Sequence, residues 1–222
     1  DVRAGLASAA RAGRVLRADE VYQDNVDHAP DTPHERAFCS FRRALAQMRV
    51  EAPELAERAQ LVSMHSISKG YMGECGLRGG YIALDGNWDP AVKAMMNKLA
   101  SISLCSNLMG QLAMGCVVDP PTAGTPSRDT FAAERGEILE SLRTRANTLA
   151  DALNALPGIT CAPTEGALYL FPRIHLPRDA VRAAREVEVA PDEFYAMQML
   201  EATGLVVVPG SGFGLPDPGS CS

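Results

Sequence analysis

The sequence lacks several features that would place a protein at a membrane or on nucleic acid. Its longest apolar run lies near residues 109–118 and is far shorter than a membrane span. Positive charge is not in excess, because 21 Lys and Arg oppose 27 Asp and Glu and give a formal net charge of −6. Aromatic residues make up 5% of the chain, with no basic cluster or stacking platform. These absences argue against nucleic acid and anionic membranes as partners.

Paired cysteine motifs are also missing. The six cysteines are widely spaced and include no C-x-x-C pair, which weakens the zinc-site and thioredoxin interpretations. Their scatter is typical of reduced thiols in an intracellular protein. The first residues, Asp1 to Ala4, lack the charged-then-apolar order of a secretory signal. We therefore expect an intracellular location, cytoplasmic or organellar (mitochondrial or other).

What is present is an alternation of helix and strand signals. In the first part it predicts an α/β fold with a mainly parallel sheet covered by helices, and in the last part a smaller α+β unit. Asp89-Pro90, Pro157-Gly158 and Gly204 are typical helix boundaries. The predicted helices cover residues 1–12, 38–48, 90–100, 104–118, 127–156 and 192–202. The predicted strands cover residues 15–18, 61–65, 81–84, 158–161, 167–171 and 205–208.

The stretch from Ser63 to Tyr81 carries the strongest chemical signal. A short apolar strand leads to Ser66 and Ser68, which directly precede Lys69, and a second cation, Arg78, follows. A strand-end amine can condense with a carbonyl group, while hydroxyls and a guanidinium hold an anion such as a phosphate. A lone loop lysine is more often a solvated charge. The surrounding glycines favour a ligand loop, since they allow tight turns and close approach: Gly70, Gly73, Gly76, Gly79 and Gly80.

A second candidate segment follows the strand at residues 15–18. Ligands gather at the carboxyl ends of parallel strands, so Asp19 and Tyr22 would lie near Lys69 if the two strands are neighbours. An acid, a phenol and an amine there have complementary roles on a pyridine aldehyde. The acid keeps the ring nitrogen protonated, the phenol donates to the ring oxygen, and the amine holds the aldehyde and moves a proton.

Each of these features also has a plainer interpretation. Asp19-Glu20 could cap a helix, form a solvated turn or resemble the acidic pair of an ATPase, but the last needs a G-x-x-x-x-G-K loop that is absent. Tyr22 could be a core or surface aromatic. The glycine-rich segment 210–214 is more simply a turn than a phosphate cradle. The histidines have no ligand spacing and are best treated as incidental: His28, His34, His65 and His175.

Several segments together resemble the class I/II aminotransferases, and within them the alanine aminotransferase group. The lysine loop at 66–81 is typical of the wider family, while its Gly-Tyr-Met-Gly-Glu-Cys-Gly extension and the Ser-Leu-Cys-Ser-Asn run at 103–107 are more specific to the alanine enzymes. The resemblance covers about residues 15–214. The other matching segments are 18–26, 137–143, 156–161, 165–173 and 207–214.

This resemblance implies the PLP-dependent transferase fold type I, with pyridoxal 5′-phosphate as cofactor and a homodimeric assembly. It implies Lys69 as the lysine that bonds the cofactor, Asp19 at the pyridine nitrogen and Tyr22 at the ring oxygen. The implied phosphate contacts are Ser66, Arg78 and, as a weaker candidate, Ser68. The implied domains are a partial cofactor-binding large domain at 1–126, a linking helix at 127–156 and a small C-terminal domain at 157–222.

The implied reaction is amino transfer between L-alanine and 2-oxoglutarate, which gives pyruvate and L-glutamate. Two alternatives stay open: another class I/II aminotransferase or an aminocyclopropane-carboxylate synthase-like enzyme, and a non-catalytic module that binds the cofactor or dimerises. Family members extend further at both ends, including an arginine that binds the substrate carboxylate, and no arginine follows Arg185 here. Asp27 stands where the family usually has an aromatic residue. We therefore expect an incomplete chain with poor activity by itself.

Overall fold

The computed structural model describes residues 2–26 and 38–214 of the chain. The chain forms two compact units, one of residues 1–148 and 163–170, the other of residues 149–162 and 171–222. The division into domains at residues 126 and 156 stays a prediction. The helices are α1 (Val2–Arg11), α2 (Phe41–Glu51), α3 (Pro53–Ala56), α4 (Pro90–Ala100), α5 (Leu108–Val118), α6 (Arg128–Asn154), α7 (Arg178–Glu186) and α8 (Pro191–Thr203). The strands are β1 (Val15–Asp19), β2 (Gln60–Ser66), β3 (Gly80–Gly86), β4 (Ile159–Thr160) and β5 (Arg173–Ile174).

The larger unit is built on a three-stranded sheet in the order β1-β2-β3. β1 and β2 are parallel, and their register runs from Val15 opposite Gln60 to Asp19 opposite Met64. Their connection passes through α2 and α3, as a parallel crossover requires. β3 is antiparallel to β2 because the chain returns through a loop with one 3₁₀ turn, Cys75–Leu77, and no crossover helix. The sheet is therefore mixed, where alternation predicted a mainly parallel one.

One face of this sheet carries the main core of the unit. Leu61 and Ala18 point from paired strands to the same side and are buried there against α1 and α2. Leu6 and Ala10 are four residues apart on α1, so both lie on one helical face. The remaining buried members of this core cluster are Ala44, Leu45, Met48, Ala56 and Ala59. The core therefore holds β1 and β2 side by side.

Capping residues determine where several helices begin. The side chain of Ser40 accepts from the backbone N–H of Arg43, so α2 begins at Phe41 and not at the predicted residue 38. Asn107 accepts from the N–H of Met109, so α5 begins four residues later than the predicted start at 104. Asp89 caps α4 by accepting from the N–H of Ala91, with proline at the first helical position, as the sequence indicated.

Two of the predicted strands do not form. The segment 167–171 begins with Ala167, directly after Gly166, and the φ angles of +61° and +155° at these two residues interrupt an extended chain. The segment 205–208 has no strand partner among the described residues. β4 lies within the predicted strand at 158–161, and it pairs antiparallel with β5, which was not predicted. α8 ends as predicted at Gly204, which takes the left-handed conformation that suits glycine.

We expect Leu45→Ala to lower the free energy of unfolding by about 2–5 kcal/mol, since it removes a fully buried side chain from the core. Leu45 is 1% exposed, whereas Val50 on the same helix is 83% exposed. The matched variant Val50→Ala should change stability by less than about 0.5 kcal/mol. Urea denaturation of the 222-residue chain measures both, and equal losses would contradict the assigned core.

Candidate active site

The candidate site begins at one edge of the three-stranded sheet. Asp19 is the last residue of β1 and Ser66 the last of β2, and parallel pairing brings both strand ends to the same edge. The pairing continues one residue further, where the N–H of Glu20 donates to the carbonyl of Met64 at 3.0 Å. The structure therefore brings the two segments singled out in the sequence to one rim of the sheet.

A folded loop presents Lys69 at this rim. The loop is anchored by buried Ile67, whose N–H donates to the carbonyl of Gly79 at 3.1 Å and whose carbonyl accepts from Glu74 at 2.8 Å. Lys69 itself is exposed, and its amine makes no hydrogen bond or ion pair within residues 2–26 and 38–214. A well-anchored loop with an exposed amine is suited to bond a ligand that arrives from solvent.

The turn after Lys69 packs directly on the turn after β1. Gly70 has a φ angle of +70°, and a Cβ placed there would lie 3.2 Å from the side-chain oxygen of Asn25 and 3.3 Å from the carbonyl of Val21. Both the conformation and the limited space favour glycine at this position. Contact between these two turns places the Tyr22 turn beside Lys69.

Asp19 lies exposed at the end of β1. One carboxylate oxygen accepts from the N–H of Val21 at 3.3 Å, which orients the side chain along its own turn. The second oxygen makes no hydrogen bond with any other residue that the structure describes. This second oxygen of Asp19 can therefore accept a hydrogen bond from a ligand at this edge, such as the N–H of a pyridinium ring.

Tyr22 is held by a second phenol that the sequence did not single out. The hydroxyls of Tyr22 and Tyr169 are hydrogen bonded at 3.0 Å, and the rings pack edge to face with centroids 5.9 Å apart. Burial is the largest of the effects that raise the pKa of Tyr22 to about 12, followed by the Tyr169 hydrogen bond and the nearby acidic groups of Tyr169, Asp19 and Cys75. The phenol therefore stays protonated at neutral pH. Its hydroxyl donates to Tyr169 here, and it donates to a ligand when the O–H turns away from Tyr169.

Ser66 at the end of β2 and the loop residues Ser68 and Arg78 lie on one continuous segment, and hydrogen bonds of Cys75 connect Ser68 to Arg78. The hydroxyl of Ser66 accepts from the N–H of Ser68 at 3.3 Å. The thiol of Cys75 donates to the carbonyl of Ser68 at 2.7 Å, and the guanidinium of Arg78 donates to the carbonyl of Cys75 at 3.0 Å. Arg78 adopts a left-handed backbone conformation, with a φ angle of +53°. The predicted anion donors therefore belong to the same folded segment as Lys69.

The start of α5 packs against this loop. A Cβ on Gly79 would lie 2.5 Å from the carbonyl oxygen of Gly110, so the two backbones touch where both residues lack side chains. Asn107, the cap of α5, also donates its side-chain N–H to the carbonyl of Leu77 at 2.7 Å. These contacts fix the loop backbone from Leu77 to the start of β3.

The plainer interpretations hold for two neighbouring residues. The carboxylate of Glu20 accepts from the N–H of Phe41 at 2.8 Å and so caps the start of α2. His65 is buried, and its Nδ1 lies 3.2 Å from the carbonyl of Glu20, which gives it a structural contact. His28, His34 and Asp27 lie outside the described residues. Within the ranges 2–26 and 38–214, no cluster of His, Cys, Asp or Glu could hold a metal ion.

This donor set fits pyridoxal 5′-phosphate. The amine suits an aldehyde, the carboxylate suits a protonated ring nitrogen, the phenol suits the ring oxygen, and hydroxyls with a guanidinium suit a phosphate. Sequence reasoning missed Tyr169, Cys75 and Arg135, whose guanidinium contacts both turns of the site. Tyr169 and Arg135 are distant in sequence from Tyr22 and Lys69, so no local pattern could have linked them. Cys75 lies in the loop itself, but no pattern in the neighbouring residues predicted its hydrogen bond with the carbonyl of Ser68.

Curated proteins similar to this chain are alanine aminotransferases. The mitochondrial alanine aminotransferase 2 of Arabidopsis thaliana is 49% identical over 202 residues, which are 91% of this chain and 36% of that protein. Alanine aminotransferase 1 of Mus musculus is 48% identical over 202 residues, again 91% of this chain and 39% of that protein. The chain thus spans little more than a third of the length of these relatives.

Solved structures show the same fold. An alanine aminotransferase from Pyrococcus furiosus superposes with a TM-score of 0.71 at 21% identity, over 96% of this chain and 45% of that chain. At this identity the likeness carries the fold alone, and that fold is the PLP-dependent transferase fold type I.

The family model described as aminotransferase class I and II matches residues 2–221. This match covers nearly every residue of the chain, including both turns of the candidate site. Proteins of this family are transaminases, and their cofactor is pyridoxal 5′-phosphate. The chain belongs to the class I and II aminotransferase family.

Proposed function

We propose that the protein of which this chain is part transfers an amino group between L-alanine and 2-oxoglutarate, giving pyruvate and L-glutamate. The observation that carries this proposal is the meeting of the Lys69 loop and the Asp19–Tyr22 turn at one sheet edge. The choice of alanine rests on the names of the relatives that are nearly half identical to the chain. Solved structures with other amino-acid specificities share the fold at lower identity.

The chain's own residues divide the chemistry among them. Pyridoxal 5′-phosphate, when bound, supplies an aldehyde for amines and a ring that withdraws electrons. Lys69 would hold this aldehyde through its amine, and the free amine would move a proton at the substrate's α-carbon. The negative charge of Asp19 would keep a proton on the ring nitrogen, and the hydroxyl of Tyr22 would donate a hydrogen bond to the ring oxygen. Their shared position at the strand ends supports this division.

The phosphate-binding role is proposed for Ser66, Arg78 and Ser68. A guanidinium and hydroxyls are strong donors to phosphate oxygens, and all three residues lie on the segment from the end of β2 to the start of β3, which carries Lys69. The same loop can therefore hold the cofactor at two points, through a covalent bond and through charge-assisted hydrogen bonds. Attachment at two points would restrict rotation of the ring, and proton transfer needs such a fixed orientation.

We also propose a homodimer as the working assembly, with small amino acids and 2-oxo acids as substrates. Support comes from the apolar surface of α4 and α5, where Leu99 and Leu108 are both about two-thirds exposed. No helix among the described residues is long and apolar enough to cross a membrane. For the location we propose an intracellular compartment, cytoplasmic or organellar; the Arabidopsis relative carries a mitochondrial name.

The Lys69 assignment can be tested by chemical trapping. We expect borohydride to reduce the bond between pyridoxal 5′-phosphate and the chain to a secondary amine at Lys69, because this amine is exposed and makes no hydrogen bond or ion pair with the residues that the structure describes. Peptide mass spectrometry locates the label. Lys69→Ala should abolish it, while Lys98→Ala on α4 should leave it unchanged. A label that persists in Lys69→Ala would refute the assignment.

The Tyr22 assignment predicts a particular pH dependence. Because the folded pKa is about 12 and the ordinary value is 10.0, the phenol keeps its proton up to about pH 10 and its contribution to stability is lost only between those values. We expect Tyr22→Phe to weaken cofactor binding about tenfold, by the same factor from pH 7 to about 9.5. Absorbance titration measures this, with Tyr195→Phe on α8 as the control. A loss that disappears within that range would contradict the donor role.

The dimer proposal predicts that charge on α4 and α5 separates the subunits. Leu99→Glu with Leu108→Glu should convert a species of twice the chain mass into monomer, because charged side chains cannot be buried unpaired in an apolar interface. Val50→Glu changes a residue on α2 that is more exposed than either leucine and should leave the dimer intact. Sedimentation velocity reports both results. Dissociation by Val50→Glu alone would place the interface elsewhere.

A further inference from the structure

A single guanidinium on α6 contacts both turns of the candidate site. The Nη2 of Arg135 forms an ion pair with the Oδ1 of Asp24 at 2.8 Å. The same group lies over the ring of Tyr71, with its central carbon 5.3 Å from the ring centroid. Asp24 is two residues after Tyr22, and Tyr71 is two residues after Lys69. The two contacts therefore join the segments that carry the proposed cofactor groups.

The guanidinium suits this double role for a geometric reason. Its flat face can cover an aromatic ring while its edge donates to a carboxylate, which the point charge of a lysine cannot do in the same way. The ion pair is half-buried, with Arg135 and Asp24 retaining 38% and 31% of their side-chain exposure. Partial burial reduces screening by salt compared with a fully exposed pair.

Besides its ion pair with Arg135, the Tyr22 turn is held by a backbone hydrogen bond. The contact of Arg135 with the Lys69 turn is at Tyr71. The carbonyl of Asn25 accepts from the N–H of Ala167 at 2.7 Å, which holds the Tyr22 turn from the segment that also bears Tyr169. Asn25 is 4% exposed and lies against Gly70. With one turn held in this way, a tie to Tyr71 fixes the other turn relative to it.

We propose that Arg135 is a positioning residue for the cofactor site, which holds the turn after Lys69 against the turn that carries Tyr22. The role in cofactor binding rests on the proposed function. The tie, meaning the contacts of Arg135 with Asp24 and Tyr71, is a property of the chain. Arg135 acts through Tyr71 and Asp24 and touches none of the proposed cofactor-binding groups directly. Its loss should loosen the Lys69 turn before it unfolds the protein.

Hydrogen exchange and cofactor binding by the 222-residue chain test this proposal. In Arg135→Gln we expect faster amide exchange in residues 69–73 without cofactor and an affinity for pyridoxal 5′-phosphate that is about threefold to tenfold lower. Arg135→Lys keeps the charge beside Asp24 but loses the flat contact with Tyr71, so its effects should be smaller. Arg145→Gln is the matched control, since Arg145 bonds a carbonyl within α6 itself.

A double-mutant cycle separates the tie from a general loss of stability. Tyr71→Leu should reproduce part of the Arg135→Gln effect, and the two changes together should cost less than the sum of their separate effects. A merely structural role would lower the unfolding temperature and leave the affinity of the folded chain and the exchange of residues 69–73 unchanged. That result would overturn the proposal, as would additive effects in the cycle.

The outcomes also distinguish this inference from the proposed function. If borohydride does not label Lys69 in the unaltered chain, the proposed function fails, while the exchange of residues 69–73 still decides whether the tie exists. If Lys69 is labelled but Arg135→Gln matches Arg145→Gln in exchange and affinity, the inference is wrong and the function stands. Should Arg135→Gln fail to fold, Arg135→Lys and Tyr71→Leu supply the same comparison.

Discussion

Parallel hydrogen bonding between β1 and β2 is the constraint on which the candidate site depends. It sets Asp19 opposite Met64, so both strands deliver their following turns to the same edge of the sheet. An antiparallel pair would have sent one of these turns to the opposite edge. The core beneath the strands stabilises this pairing, because Ala18 and Leu61 are buried on the same face against α1 and α2. The chemistry at the edge thus depends on packing that contains no reactive group.

The sheet brings the Lys69 turn and the Tyr22 turn to the same edge, and contacts between the turns then determine their exact positions. Gly70 lets the Lys69 turn approach Val21 and Asn25, and a side chain there would push the turns apart. Tyr169 orients the phenol of Tyr22 and contributes to its raised pKa, so the donor keeps its proton. These contacts are short-range and directional, whereas strand pairing acts over the whole edge. A lysine exposed at the tip of a rigid loop is the combined result.

Local signals predicted several features well because their physical causes are local. Asp89-Pro90 begins α4 and Gly204 ends α8, since a cap, a fixed φ angle and a left-handed residue act within one turn of helix. The predicted strand at 167–171 failed because apolar character alone does not supply a partner strand, and Ala167 interrupts the extended chain. Likewise, alternation of elements did not reveal that β3 turns back antiparallel through a loop.

The sequence by itself determined the chemical inventory: a lysine after two serines, an acid and a phenol after a strand, and the motifs that mark the aminotransferase family. Their residue types and spacing are written in the chain, and so is the glycine content that shapes the loop. Only the tertiary structure decided which distant side chains join them. Tyr169 is 147 residues from Tyr22 and Arg135 is 111 residues from Asp24. Such contacts arise when packed elements meet in space, and no local preference of the backbone encodes them.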